Sequence, residues 1–289
     1  MGSTQKKIIS QIVLTSAESK KLIAKAVVQL REVQRSVREG ILALHPSSST
    51  VFILEEIIGK IPKGLWVCGV VTPKGLCMSL EAPESKEERT LGSFIYTWII
   101  QKRKLQDSVE LGLLLGKMGP DDVYIKGANA LDPKGNAGVL FANPAGGSIG
   151  KVMKVARERK FKIIIPIGLE KLIPVSISEA AKKAGFRKVN KAMGLPCGLI
   201  PINGKVITEI DAIKILTGAT ATPIAAGGLK GAEGAIVLSI EGSQKEIDTL
   251  QEKIKEIKGA VLPKLNLKSC SKCRLSVCHF RKTRPFWAQ

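Results

Sequence analysis

The run from Phe161 to Ile167 constrains the fold more than any other stretch of the chain. It contains three consecutive isoleucines, 163 to 165, and a continuous β-branched run is typical of a parallel strand buried on both faces. Val123 to Ile125 is a second short apolar run, and it leads into a turn at Lys126–Gly127. Together with intervening helical segments, these runs predict an α/β protein with an open, mostly parallel sheet flanked by helices.

Helical segments lie between the predicted strands. Ser19 to Gly40 has apolar residues at helical spacing and is predicted as one helix that ends at Gly40. Ile41 to Leu44 follows as a short buried strand, and a second amphipathic helix begins at Val51. In such a sheet ligands bind at the carboxyl ends of the strands, so the loops that follow them are the first candidates for a site.

The pattern of elements changes along the chain and predicts three parts. Residues 1–193 are expected to form the α/β domain, 194–262 a small α+β appendage or lid, and 263–289 a basic, Cys-containing tail. Within the appendage, Leu199 to Ile207 is predicted as a β-hairpin across Asn203–Gly204, which is a strong turn signal.

The chain is strongly basic, with 45 Lys and Arg against 25 Asp and Glu and a net charge of +20. This balance favours anionic partners such as phosphates, nucleic acid or an acidic protein, and the alternative is a solvated lysine-rich surface. A content of only 4% aromatic residues argues against a stacking platform for single-stranded nucleic acid.

The apolar runs are too short for a bilayer span of roughly 20 residues, so no membrane partner is expected. Because no secretory signal is recognisable and the six cysteines fit reduced thiols, we expect a cytoplasmic protein, and a homo-oligomer.

A row of four hydroxyl residues follows the strand at 41–44: Ser47, Ser48, Ser49 and Thr50. Their hydroxyl and N–H groups lie where the next helix begins, and they are suited to an anion. The alternative is simple helix capping by Ser49 or Thr50, which needs only one hydroxyl.

A glycine-rich turn is the second candidate for an anion site. Gly146, Gly147 and Ser148 lead into a helix that carries Lys151. The free N–H groups and the dipole of that helix would point at a bound anion, as would the backbone of the Lys126–Gly127 turn.

Taken together, these loops resemble those of ribose-5-phosphate isomerase A and its superfamily, which includes CoA transferases. The segments that carry the resemblance span roughly residues 19 to 175 and occur in the same order: His45-Pro-Ser-Ser-Ser-Thr50, Lys126-Gly-Ala-Asn-Ala-Leu-Asp132, Ala145-Gly-Gly-Ser148 and Gly168-Leu-Glu-Lys171. The resemblance implies a phosphorylated or CoA-type ligand, with Lys151 and Lys171 as its positive charges.

The catalytic carboxylates of that superfamily are largely missing. Lys126 and Asn129 stand where the isomerase has aspartates, and Asp132 alone has an acidic counterpart. We therefore do not expect isomerase activity, and the three positions remain as candidate catalytic residues of a divergent enzyme. Lys126 could act as a base or Schiff-base amine, or be a solvated lysine at a strand end. A non-catalytic ligand sensor or interaction protein is the alternative function.

The tail carries the candidate metal ligands Cys270, Cys273, Cys278 and His279. A CxxC pair followed by Cys and His is typical of zinc sites, and an iron–sulfur cluster is the alternative. Because Cys278 and His279 are adjacent, one ligand could instead be Cys68, Cys77 or Cys197. With a metal, the basic tail could contact nucleic acid or an acidic partner; without one it would be a flexible tail of reduced thiols.

Overall fold

A computed structural model of the chain describes residues 7–60, 70–77, 97–106, 109–143, 146–185, 187–264, 270, 273, 278 and 279. Eight helices and fourteen strands lie in this part of the chain, so the expected α/β class is confirmed. The helices are α1 (Ser16–Val27), α2 (Arg31–Glu39), α3 (Thr50–Ile58), α4 (Leu111–Lys117), α5 (Gly147–Arg159), α6 (Ile177–Lys183), α7 (Glu209–Thr217) and α8 (Gln244–Ile257). The strands are β1 (Ile8–Leu14), β2 (Ile41–Leu44), β3 (Val70–Thr72), β4 (Gly75–Cys77), β5 (Trp98–Gln101), β6 (Lys104–Gln106), β7 (Val123–Ile125), β8 (Ala130–Leu131), β9 (Ala137–Phe141), β10 (Lys162–Pro166), β11 (Gly198–Ile202), β12 (Lys205–Ile207), β13 (Thr220–Gly227) and β14 (Ala235–Gly242).

The central sheet has six strands in the order β12-β10-β7-β2-β5-β6. The first four run parallel to one another, whereas β5 and β6 pair antiparallel at the other edge. The tight turn at Lys102–Arg103, where φ is 48° and 62°, allows β6 only an antiparallel return beside β5. The sheet is therefore mixed, and an open, mostly parallel sheet is not confirmed.

Both faces of the central sheet are buried. Leu42, Val123 and Ile164 pack in one hydrophobic cluster, while Tyr124 and the two flanking isoleucines of β10 pack in the other. Successive side chains of a strand point to opposite faces, so a continuous apolar run fills both clusters. This accounts for the isoleucine run of β10.

The N-terminal strand belongs to a second, three-stranded antiparallel sheet of order β1-β14-β13. Leu14 of β1 and Leu238 of β14 share one hydrophobic cluster with Leu22 of α1 and Leu250 of α8. The start of the chain thus packs with elements from the predicted 194–262 appendage. The proposed boundary at residue 193 stays a prediction, as does that of the tail.

Two predicted elements are wrong. Leu199 to Ile207 is not a hairpin: β11 pairs with β9 in one sheet, and β12 pairs in parallel with β10 in another. Gly204 is needed for the crossing between them, because a Cβ there would lie 2.7 Å from the carbonyl oxygen of Ile163. The helix predicted over residues 19–40 is two helices, since Leu30 is extended with ψ of 131° and turns the chain between α1 and α2.

Among the described residues, no helix combines the length and the apolar character that a bilayer span requires.

Candidate functional site

Four loops meet at the carboxyl ends of the parallel strands β2, β7, β10 and β12. We call this side of the sheet the carboxyl edge. His45 follows β2, Lys126 follows β7, Gly168 lies just past β10, and Glu209 lies just past β12. Parallel strands place these loops side by side, as in other α/β ligand sites.

The serine loop, His45 to Thr50, connects β2 to α3 at this edge. The Thr50 hydroxyl donates to the His45 carbonyl oxygen at 2.6 Å, and the Thr50 N–H donates to Ser47 Oγ at 3.2 Å. Ser47 therefore caps the helix, and the alternative of capping by the Ser49 hydroxyl is wrong, since Ser49 makes no such bond. Ser48 is half-buried.

Ser49 is the most unusual residue of the loop. It is 2% exposed, and its hydroxyl oxygen has no hydrogen-bond partner among the described residues. A buried polar group left in this state costs about 1–3 kcal/mol. Gly127 adjoins it, because a Cβ at residue 127 would lie 3.6 Å from Ser49 Oγ. The structure thus brings these two predicted site residues together.

Lys171 reaches the same turn from the end of β10. Its ammonium group donates to the carbonyl oxygen of Ala128 at 2.9 Å. Burial lowers the pKa of Lys171 to about 8, with the negative charge of Glu170 opposing the shift and the positive charge of Lys20 adding to it. The side chain therefore remains mostly charged at neutral pH.

A cluster of buried charges lies behind Lys171 and was not predicted. Lys20 Nζ lies 2.6 Å from Glu170 Oε1 and 3.0 Å from the Ser16 carbonyl oxygen. The fully buried Glu209 accepts from the Leu169 N–H at 2.9 Å. Burial raises the pKa of Glu209 to about 6, against the hydrogen bond from Leu169. These contacts fix the turn that carries Lys171.

His45 and Tyr124 form a buried pair at the ends of β2 and β7. His45 Nδ1 lies 3.0 Å from the Tyr124 hydroxyl oxygen, and His45 Nε2 has no hydrogen-bond partner among the described residues. Burial lowers the pKa of His45 well below its ordinary value, and the positive charge of Lys126 lowers it further. Lys126 is itself buried. The sequence predicts that His45 follows a strand, but only the contact with Tyr124 identifies it as a residue of the candidate site.

Asn129 and Asp132 hold the backbone beyond the edge. Asn129 Oδ1 accepts from the Leu140 N–H at 3.0 Å, and the Asp132 carboxylate accepts from the Ile177 N–H at 3.0 Å and the Asn136 N–H at 2.9 Å. Burial raises the pKa of Asp132, but its hydrogen bonds, that of the Asn136 side chain first, outweigh burial and bring it to about 2. The catalytic roles of both residues stay predictions, while their contacts are structural.

The glycine-rich turn lies beside β9 and β11. Gly146 and Gly147 adopt φ of 79° and 62°, and their nearest neighbours include Phe141 and Ile200 of β9 and β11. Ser148 is half-buried in the first turn of α5. No hydrogen bond or ion pair joins residues 146–148 to the serine loop in the part of the chain that the structure describes.

Lys151 lies one turn further along α5. Its ammonium group pairs with the carboxylate of Glu110 at 3.4 Å on an exposed surface. The anion-binding role of the glycine-rich turn and of Lys151 stays a prediction.

All four predicted metal ligands are among the described residues, although most of the tail around them is not. Cys273 and Cys278 are half-buried, Cys270 is exposed, and none of the three forms a disulfide. The His279 N–H donates to the Gly194 carbonyl oxygen at 2.9 Å, which anchors this part of the tail. No group of three or more His, Cys, Asp or Glu side chains arranged for a metal occurs among the described residues, and Cys68 lies outside them.

Comparison of the chain with protein-family models, with curated proteins and with solved structures finds no match.

Proposed function

We propose that the chain binds a small phosphorylated or CoA-type anion at the carboxyl edge, between the N-terminus of α3, Gly127 and Lys171. The observation that carries the proposal is the buried Ser49 hydroxyl, which has no hydrogen-bond partner among the described residues. A ligand oxygen would supply that partner, and Gly127 lies close to the same hydroxyl without a side chain that would cover it.

The electrostatics of this corner favour an anion. The N–H groups of Thr50 and Val51, which open the nine-residue helix α3, donate to Ser47, while the dipole of the helix adds partial positive charge at that end. Lys171 contributes a full charge at the Gly127–Ala128 turn. The net charge of +20 would attract anions over longer range.

Binding is better supported than sugar-phosphate isomerisation. Proton abstraction from carbon needs an available carboxylate or similar base near the ligand. Of the carboxylates at the carboxyl edge, Glu170 is paired with Lys20, and Glu209 accepts from the Leu169 N–H. The site therefore fits a ligand sensor or a divergent enzyme that does not use these groups as the isomerase does.

A thermal-shift series on the full chain tests this proposal. Inorganic phosphate, sugar phosphates, nucleotides and CoA esters are added in turn, and at least one is expected to raise Tm progressively as its concentration exceeds its Kd. Ser49→Ala is expected to weaken the binding of that probe by about tenfold, from the loss of one hydrogen bond to a charged group. Ser178→Ala, at an exposed position of α6, is the control. The proposal fails if no probe stabilises the parent protein.

For the tail we propose, as a second candidate function, a zinc or iron–sulfur site that includes Cys270, Cys273, Cys278 and His279 and supports contact with nucleic acid or an acidic partner. The anchoring of His279 to Gly194 supports a folded tail. Metal analysis of anaerobically purified full chain should give near one zinc, or one cluster, per chain. A value under about 0.2 would contradict it, because structural sites bind tightly.

A further inference from the structure

The buried His45–Tyr124 pair lies at the carboxyl edge, and the proposed contacts of the serine loop and Lys171 with an anion do not account for it. We propose that Tyr124 holds His45 in the tautomer with its proton on Nε2, so that His45 is a neutral hydrogen-bond donor to an oxygen of the bound anion. This inference deepens the proposed function and rests on it.

Strand pairing fixes the geometry of the pair. Ala43 of β2 lies opposite Tyr124 of β7, and the two-residue period of a strand returns His45 to the same face of the sheet. The His45 N–H donates to the Ile125 carbonyl oxygen at 2.9 Å, and the His45 carbonyl oxygen accepts from the Thr50 hydroxyl at 2.6 Å. With its backbone held on both sides and Nδ1 held by Tyr124, the ring has little freedom to turn.

The surroundings keep both groups neutral. His45 is 1% exposed and Tyr124 is fully buried. Burial lowers the pKa of His45 and, acting on an acid instead of a base, raises the pKa of Tyr124. The 3.0 Å contact between them is therefore a hydrogen bond between a neutral phenol and a neutral imidazole.

The direction of that hydrogen bond follows from the chemistry of the two groups. A phenol hydroxyl is a strong donor and a weak acceptor, whereas the unprotonated nitrogen of a neutral imidazole is a strong acceptor. The Tyr124 hydroxyl therefore donates its proton to His45 Nδ1. The imidazole proton must then sit on Nε2.

Nε2–H is thus a donor without an acceptor among the described residues. A buried N–H beside the positive charge of Lys126 suits a negatively charged oxygen and repels a cation. Because the imidazole stays neutral, this hydrogen bond does not depend on pH across the range in which an ordinary histidine titrates.

Two histidines in the whole chain make a direct test feasible, because the spectrum of His45→Gln assigns the remaining imidazole to His279. In long-range ¹H–¹⁵N spectra of the parent protein, we expect a protonated Nε2 and an unprotonated Nδ1 for His45 from about pH 6.5 to 8. Saturating inorganic phosphate should shift the Nε2 resonance. A proton on Nδ1, or an imidazolium at pH 6.5, would overturn the inference.

Variants separate a binding role from a merely structural one. His45→Gln keeps an amide N–H near the position of Nε2 and should bind phosphate within about threefold of the parent, whereas His45→Ala should lose at least about tenfold. Equal losses in both would contradict the inference. If His45→Ala fails to fold, Tyr124→Phe is the second test: it should shift the tautomer of His45, and an unchanged tautomer would contradict the inference. If the Ser49 and Gly127 amides respond to phosphate while Nε2 does not, this inference alone fails. If neither responds, the proposed function fails with it.

Discussion

Gly127 approaches Ser47 so closely that a Cβ atom at residue 127 would lie 3.1 Å from the Ser47 hydroxyl oxygen. The turn after β7 and the serine loop after β2 therefore form one surface, although about eighty residues separate them in the chain. This contact is what joins two loops that the sequence could only place separately.

Gly127→Ala should place a methyl group against the hydroxyls of Ser47 and Ser49. A methyl group there is tolerated only with a small shift of the serine loop, so we expect about a tenfold loss of phosphate affinity and a small change in stability. Calorimetric titration with phosphate measures the first, and thermal unfolding the second.

Gly116→Ala is the matched control, because a Cβ at this exposed position of α4 meets no atom within 4 Å. It should leave phosphate affinity unchanged and raise stability by up to about 1 kcal/mol through helix propensity. Equal effects of the two substitutions on binding would contradict the site.

Anion affinity should fall as pH rises through about 8, because Lys171 loses its charge there. Sulfate is the suitable probe, since its own charge is constant over this range. Lys171→Gln should weaken sulfate binding by about tenfold at pH 7 and remove the pH-dependent step. In Lys183→Gln, at an exposed position of α6, the step should persist. A step that survives in Lys171→Gln would assign it to another group.

Glu209 should make the protein less stable as pH rises from 4.5 to about 6. Its pKa is higher in the folded state than its ordinary value of 4.5, so the folded protein binds the proton more tightly and loses that advantage as pH passes about 6. The expected loss is about 2 kcal/mol in the free energy of unfolding.

Denaturant unfolding at several pH values measures this loss. Glu209→Gln keeps an acceptor for the Leu169 N–H and should abolish this contribution to the slope of the free energy of unfolding against pH. Glu179→Gln, at an exposed position of α6, should retain it. An unchanged slope in Glu209→Gln would show that the carboxyl group does not titrate as its burial implies.

Asp132→Asn should reduce stability and spare ligand binding. The amide can accept through one oxygen only, so some of the N–H groups around residues 134 to 136 and at Ile177 lose their partner. We expect a loss of about 1–3 kcal/mol in the free energy of unfolding and unchanged phosphate affinity. Asp248→Asn, at an exposed position of α8, should change stability by less than about 0.5 kcal/mol. Loss of phosphate binding without loss of stability would instead favour a role at the ligand.

The strands in the middle of the central sheet could be predicted from the sequence, because burial on both faces leaves a continuous apolar run as their signature. Val123–Ile125 and Lys162–Pro166 are such strands. Thr220–Gly227 could not be recognised, since most of its residues are exposed and a bulge interrupts its pairing between Pro223 and Ala225. Ile8–Leu14 could not be recognised either, because its burial alternates along the strand while its apolar residues do not, and its partner β14 lies far away in the chain.

The residues of the candidate site also divide into those that could be predicted from the sequence and those that could not. The serine loop and the Lys126–Gly127 turn are local patterns, and each could be recognised from a few neighbouring residues. Lys20, Glu170 and Glu209 come from three distant segments, and only the packing of α1 and α7 beside β10 brings their charges together. Neither the spacing nor the type of these residues indicates that association. Ser49 Oγ and His45 Nε2 lack a hydrogen-bond partner among the described residues, and this too is a property of packing.

The most direct measurement of the central claim is a titration of the ¹⁵N-labelled full chain with inorganic phosphate, followed by amide spectra. Binding between α3, Gly127 and Lys171 predicts that the largest shifts fall on the amides of residues 49 to 51 and 127 to 128, with saturation at one site. Shifts confined to residues 146 to 148, or no saturable shift at all, would contradict an anion site at the carboxyl edge.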